Sequence, residues 1–398
     1  MSFYRKPSPL EVTYTGTDTE DYSPFVNQFI VEGEGNLDLD RWKQAVEKAS
    51  LANPGSRLIL KGYWGFKYWD DQGPLPLVTK VKTDWDGSSS EGAPYLSEPI
   101  NPRVGPNAQV ILIDSVNPRI IFRSHHAMTD GQGMIHWMMD IFRALKGEPL
   151  VGSKGTTSEG DIIEKIEYPP RQIVEGKCIP VSKPSQKPDE RYCRWVRMSW
   201  QGKYAKLVPK LMLAMSRIAW RNNGEDGKII FRIPSDLRRY DDKDAPFSMA
   251  NAIGAIDLYV TGDSTVNSLQ KEILSALRTK ADVSAFPKKA YILRWLPTSL
   301  YRFRPEVIKR CHENVSYRMT GIISHLGETD LENSSYDEFK ITGTYGVPIP
   351  LENRSIFIGF SINESNGLDA VVSVPKALAT QDELVALCEE IKSELDTF

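Results

Sequence analysis

Cysteine is scarce and unpatterned in this chain of 398 residues. The four cysteines, Cys178, Cys193, Cys311 and Cys388, form no Cys-x-x-Cys pair, so no zinc knuckle or redox motif is present and free thiols in a reducing compartment are expected. No stretch approaches the ~20 apolar residues of a membrane helix. The opening residues, Met1-Ser2-Phe3-Tyr4-Arg5-Lys6, lack an apolar signal core. The expected location is the cytoplasm, with no membrane as partner. Charge of one sign is not in excess: 49 Lys and Arg stand against 52 Asp and Glu, a net charge of −3. That balance argues against a protein built mainly to coat nucleic acid. Histidine is rare, with five in all.

What is present is an alternation of strand and helix signals. Residues 25–31 read as a strand. A helix follows, with Asp38 or Asp40 as its cap and Trp42, Ala45, Val46 and Ala49 at helical spacing; Asn53-Pro54-Gly55 stops it. Residues 57–68, 77–81, 109–113 and 119–123 read as strands. A helix is expected after Gly131, with Met134, Trp137, Met138, Ile141 and Leu145 on one face and Gly147 as a left-handed cap. Residues 147–191, with Pro169, Pro170, Pro180, Pro184 and Pro188, show no clear periodicity and read as a connector. The second half again alternates, with a hairpin expected around Asn366-Gly367 and a last helix opened by Thr380 and Glu383. These signals predict an α/β (α+β) protein with an N-terminal lobe over 1–165, a connector over 166–191 and a C-terminal lobe over 192–398.

One segment carries chemistry: Ser124-His125-His126-Ala127-Met128-Thr129-Asp130-Gly131, at a strand end just before a helix. Adjacent residues on a strand point to opposite sides, so one imidazole can face a cleft while the other faces the core. Imidazole titrates near neutral pH and can take a proton from an attacking amine or hydroxyl. Asp130 can fix the loop by pairing with a cation elsewhere, and Gly131 allows a close approach of substrate. Other readings compete. The pair can be a buried, hydrogen-bonded element without catalysis. A metal site is disfavoured because adjacent strand histidines diverge and no third ligand stands nearby. A serine nucleophile would want a Gly-x-Ser-x-Gly elbow, and none occurs.

His-His-x-x-x-Asp-Gly is the motif of the CoA-dependent acyltransferase superfamily, and the segment resembles it. That superfamily includes nonribosomal peptide synthetase condensation domains and chloramphenicol acetyltransferase. The similarity extends to the stretch from Leu37 through Trp42 to Leu60, to Ile233-Pro234-Ser235-Asp236-Leu237-Arg238-Arg239-Tyr240 followed by Asn251, and to Ile323-Ser324-His325-Leu326-Gly327-Glu328. The chain is most similar to a stand-alone condensation domain; no adenylation or carrier segment is recognised. The plant-type Asp-Phe-Gly-Trp-Gly and carnitine-type Ser-Thr-Ser elements are absent, and His325 stands where relatives often have Asn.

The resemblance implies two chloramphenicol-acetyltransferase-like lobes in a V shape with a tunnel at their interface. It implies His126 as general base, His125 in support, and Asp130 bound to an arginine, with Arg238 the first candidate and Arg239 the fallback. Gly131 would border the thioester, and Ser324 would contact the oxyanion or acceptor. No permanent cofactor or metal is implied. The co-substrate would be a phosphopantetheine thioester, on an acyl or peptidyl carrier protein or on CoA, and the acceptor a small amine or alcohol. The implied reaction is amide formation in natural-product biosynthesis. Ester formation from free acyl-CoA is the alternative, and a silent relative that only docks carrier proteins is the second. Lys203, Lys206, Lys210, Arg217 and Arg221 read as a solvated helix face or as a cradle for the co-substrate's phosphates. His136 is expected at the surface, and Cys311-His312 is an unsupported thiol nucleophile. The aromatic run Tyr63, Trp64, Phe66, Tyr68 and Trp69 is expected to pack within a strand, with the lining of an acceptor channel as the other reading.

Overall fold

Ile120, Ile121 and Phe122 are all fully buried, so the strand that delivers the two histidines has apolar neighbours on both faces. The computed structural model describes residues 3–15, 24–170, 177–184, 187–200, 205–224, 227–285, 295, 304–327, 334–362 and 368–398. The chain begins with β1 (Tyr4–Arg5), α1 (Pro9–Tyr14), β2 (Val26–Gly35), α2 (Leu39–Ala52), β3 (Ile59–Lys61), β4 (Tyr68–Asp70), β5 (Leu77–Lys82), β6 (Ala108–Asp114) and β7 (Arg119–His125). Next come α3 (Gly131–Lys146), α4 (Glu159–Lys165), β8 (Cys193–Trp200), α5 (Leu207–Asn223), β9 (Ile229–Asp236), β10 (Ile253–Val260) and α6 (Val266–Arg278). The last elements are α7 (Arg304–Glu313), β11 (Gly321–His325), β12 (Phe339–Val347), β13 (Ile356–Ile362), β14 (Leu368–Pro375) and α8 (Gln381–Leu395). Among the described residues no helix is long and apolar enough to cross a membrane.

β7 lies at the centre of a five-stranded sheet ordered β12-β2-β7-β6-β5, in which the β5–β6 pairing is parallel and the rest are antiparallel. A six-stranded sheet, β10-β9-β11-β13-β14-β8, forms a second layer, with β11 parallel to both neighbours. A small sheet, β1-β4-β3, anchors the N-terminal arm. α2 and α3 cover the first sheet through Trp42, Phe122, Trp137 and Phe142. α5 and α8 cover the second through Leu211, Met215, Leu387 and Ile391. A third apolar cluster joins the two sheets, with Ile30, Ile121 and Tyr345 from one and Trp195 and Val371 from the other. Beside it Glu32 of β2 accepts from Arg119 at 2.9 Å and from Arg197 of β8 at 2.5 Å, an ionic tie between the layers.

The helix starts follow local chemistry. Asp38 caps α2, accepting from the Arg41 N–H at 2.7 Å, and Asn53 ends it just before Pro54. Asp130 caps α3, and Gly147 closes it at φ 73°. Elsewhere the structure departs from expectation. The strand predicted over 57–68 is instead two short strands, β3 and β4, flanking a tight turn of 3-10 helix at Trp64–Phe66. Gly62, at φ 73°, turns the chain there. Tyr63, Trp64 and Phe66 consequently face solvent, while Trp69 is fully buried. The stretch over 147–191 that shows no periodicity contains α4, opened by a Ser158–Asp161 capping box just before the connector expected at 166–191; seven residues are too few to show a period in sequence. β13 and β14 pair antiparallel, but the Asn366-Gly367 turn lies outside the described residues.

Candidate active site

β7 places Ser124 and His125 in register with Asn27 and Val26 of β2, and the chain then leaves the sheet. The His126 N–H donates to Phe25 O at 2.9 Å, and Met128 N–H donates to His125 O at 2.9 Å, which curls the backbone toward α3. The two rings diverge. His125 Nδ1 accepts from the Ala127 N–H at 3.0 Å and is fully buried. The His126 ring lies against Tyr14 and Phe25, with centroids 4.9 and 5.3 Å away.

His126 Nδ1 is 3.1 Å from Thr129 O. A carbonyl oxygen only accepts, so Nδ1 carries the proton and the neutral ring keeps a free lone pair on Nε2. Nε2 has no hydrogen-bond partner among the described residues. Burial disfavours the imidazolium and pushes the pKa down to about 4, against the smaller pull of the Thr129 carbonyl and of Asp130. The ring is therefore neutral throughout the physiological range.

Asp130 fixes the turn. Its Oδ1 caps α3 by accepting from Gly133 N–H at 2.9 Å, and its Oδ2 accepts from Ala252 N–H at 2.9 Å. Arg238 completes the arrangement with two parallel bonds of 3.0 Å, one to each oxygen. The same guanidinium donates to Ala250 O at 2.6 Å and to Ser248 O at 3.1 Å. Burial disfavours its charge, but Asp130 and then Asp236 outweigh that and hold its pKa above the ordinary value. Arg239, the fallback partner, turns away and pairs with Asp282.

Three donors from other parts of the chain hold the loop carbonyls. Asn251 Nδ2 donates to His126 O at 2.7 Å, Arg5 Nη2 to Met128 O at 2.9 Å, and Asn27 Nδ2 to Thr129 O at 2.7 Å. The result is a rigid strand-to-helix turn that presents one neutral imidazole.

This architecture has solved counterparts. A variant of the starter condensation domain of rhizomide synthetase RzmA, in complex with C8-CoA, matches 100% of this chain and 94% of its own at a TM-score of 0.67 and 12% identity. The condensation domain from Monacolin K polyketide synthase MokA matches 100% and 97% at 0.63 and 10%. The epimerization domain from the third module of tyrocidine synthetase B matches 100% and 97% at 0.60 and 14%.

The chain has the condensation-domain fold.

No protein-family model and no curated relative matches the sequence, so the likeness lies in three-dimensional structure. Within the condensation fold, Gly131 opens α3, and a Cβ added there would meet nothing within 4 Å. Gly133 is the opposite case: a Cβ would lie 2.3 Å from Thr129 Oγ1 and 2.5 Å from Met249 O, so only glycine fits under the loop. Ser324 sits on β11 opposite Gly359, and no described hydrogen bond joins it to the histidine loop. Its segment does approach the start of α3, where Gln132 Nε2 donates to Leu326 O at 3.4 Å. His325 stacks on Phe360 at 4.9 Å.

Other predicted residues fall elsewhere in the fold. Arg217 and Arg221 pair with Glu390 and Glu394 of α8 rather than standing ready for phosphates, and Lys206 donates to Asn267. Lys203 lies outside the described residues. His136 is half-buried rather than at the surface, stacked on Phe247 with Nε2 2.8 Å from Gly152 O. Burial raises the Cys311 thiol pKa, the reverse of what a thiolate nucleophile needs.

The residues missed in sequence are Arg5, Glu11 and Asn27. Asn27 carried a signal, since it is a polar residue inside the apolar run from Phe25 to Val31 and is buried. Glu11 carried one too, in the capping-box spacing of Ser8-Pro9-Leu10-Glu11.

Proposed function

We propose that this protein transfers an acyl or aminoacyl group from a phosphopantetheine thioester to an amine, forming an amide in natural-product assembly. The observation that carries the reading is the His126 imidazole, held neutral with its proton on Nδ1 and Nε2 unprotonated. In the proposed step the amine nitrogen attacks the thioester carbonyl. Nε2 takes the proton released as the C–N bond forms. The tetrahedral adduct then expels the thiolate, which takes that proton back and leaves as thiol. A base with a pKa near 4 is weak toward a free amine. It suffices here because the nitrogen becomes acidic once it is bonded to carbon. Holding the two substrates in line supplies the remaining acceleration.

Asp130 and Arg238 serve this chemistry by fixing the turn, and His125 by supporting it from the core side. Residues 1–165 and 192–398 would form the two lobes, with β12 crossing back from the second into the first sheet, and Ser324 would face the acceptor. The four cysteines are free, which suits a reducing cytoplasm.

Structural neighbours were crystallised with C8-CoA, and one with Leu-SNAC in addition. They name the first probes. C8-CoA and an octanoyl-loaded carrier protein, each incubated with Leu-SNAC and a panel of amines and alcohols, should give a new amide by mass spectrometry. Products formed with alcohols alone would replace this reading with ester formation, and no transfer from either donor would remove it.

Gly131 offers a separate check. Because a side chain there meets no neighbour, Gly131→Val should fold normally. It should raise KM for the thioester donor ~10-fold or more by filling space where remote binding contacts position the substrate. Steady-state kinetics with unchanged Tm would support the site. An unchanged KM would place the donor elsewhere.

A further inference from the structure

Glu11 has no solvent exposure, yet five hydrogen bonds converge on it. Its Oε2 accepts from Arg5 Nη1 at 2.6 Å, Ser8 N–H at 3.0 Å and Trp69 Nε1 at 3.1 Å. Its Oε1 accepts from the N–H of Asn251 at 3.2 Å and from Asn251 Nδ2 at 3.4 Å. Capping α1 requires only the Ser8 bond, so the other four need another explanation. Two of the side chains that Glu11 holds are those that grip the histidine loop: Asn251 Nδ2 donates to His126 O, and Arg5 donates to Met128 O. α1 itself also supplies Tyr14, one wall of the His126 ring.

We propose that Glu11 is the positioning residue for His126, holding the loop's carbonyls through Asn251 and Arg5 and the ring's wall through α1. The proposal rests on the acyl-transfer reading for its kinetic consequence, but not for its structural one.

The local electrostatics agree. Glu159 is buried beside this hub, where its Oε1 accepts from Leu10 N–H at 3.1 Å and its Oε2 has no hydrogen-bond partner among the described residues. Burial and then the charge of Glu11 push the Glu159 pKa well above the ordinary carboxyl range. The Glu159 N–H also donates to Asn251 O at 2.8 Å, so Asn251 is held between α1 and α4. Loss of the Glu11 charge would release Asn251 and Arg5 together. Water would then reach a ring whose low pKa depends on being dry, and Nε2 would lose its fixed direction.

The test uses the full-length protein with Glu11→Gln, Asn251→Ala and the milder Arg5→Lys. His126 is followed by imidazole NMR between pH 5 and 8. In the parent protein the ring should not titrate in that window. In Glu11→Gln and Asn251→Ala its midpoint should rise by ~1 unit or more as the ring hydrates. With C8-CoA and Leu-SNAC, kcat should fall ~10-fold or more, since a misplacement of about 1 Å can cost ~10²-fold. KM for C8-CoA should stay within about twofold, because removing an interaction that acts only in the transition state spares substrate binding. The double variant Glu11→Gln/Asn251→Ala should be no slower than the slower of the two single ones. Should Glu11→Gln fail to fold, Asn251→Ala and Arg5→Lys carry the same expectation. A helix cap without a positioning role would lower Tm and leave the His126 midpoint unchanged, which would overturn the proposal. If the midpoint shifts but His126→Ala remains active, the brace stands and the acyl-transfer reading fails.

Discussion

Replacing His126 with alanine should lower kcat for acyl transfer ~10²–10⁴-fold, the usual worth of a general base. KM should change little, because the ring acts on the proton released as the new bond forms rather than on the resting substrates. The fold should survive. The ring packs against Tyr14 and Phe25 and among the described residues makes one hydrogen bond, to Thr129 O, while the backbone on either side is held by Asn251, Arg5 and Asn27. His126→Gln would keep a polar group of similar reach without a useful base and should be equally slow. A variant turning over at the parent rate would show that the site binds or positions substrates without taking a proton.

The second large effect concerns Asp130. Its carboxylate receives four bonds, two from Arg238 and one each from the Gly133 and Ala252 N–H groups. Asp130→Ala leaves the buried Arg238 charge paired, among the described residues, with the half-exposed Asp236 alone at 3.1 Å, a loss toward the lower end of the about 3–5 kcal/mol for a broken buried pair. Removing the cap of α3 adds about 1 kcal/mol. The sum corresponds to a drop in Tm on the order of 10 °C. Asp130→Asn separates the two contributions, since asparagine still caps a helix but carries no charge for Arg238. It should recover the smaller part only. Thermal unfolding of both variants checks this, and an Asp130→Ala protein with the parent's Tm would contradict the structural role of the pair.

The contrast between these residues and Glu11 shows how much of the site is readable along the chain. His125, His126, Asp130 and Gly131 fall within one strand-to-helix turn, so their spacing is local and survives as a motif. Arg238 was reached through a second, weaker match. That match puts Arg238 ahead of Arg239, and in the structure the two diverge, Arg238 pairing with Asp130 and Arg239 with Asp282. Glu11 and Asn27 act on the loop across long stretches of chain, and no local period records such a contact. The signs they leave in sequence, a polar residue within an apolar run and a capping-box spacing, mark burial and a helix start but not the loop these residues reach. The aromatic run at Tyr63 to Trp69 misled for a related reason. Its composition favours a strand, but Gly62 breaks the extended backbone and sends Trp64 and Phe66 outward. The first sheet's edge strand, β12, likewise comes from beyond the connector, an arrangement set by packing between the sheets rather than by adjacency in sequence.

The most direct test of the account is the pH dependence of kcat/KM for C8-CoA, measured for the parent protein and for His126→Ala. A buried imidazole must be neutral to accept a proton. Its folded-state pKa is about 4, so the base form should persist as pH falls through 6.5 and be lost only near 4. With rates expressed per unprotonated acceptor amine, whose α-amino group itself titrates at about 8, the parent should hold its rate between pH 8 and 5 and decline with one proton near 4, and His126→Ala should show a low rate without that decline. An acid limb centred near 6.5, or the same limb in both proteins, would contradict a desolvated His126 as the group that takes the proton.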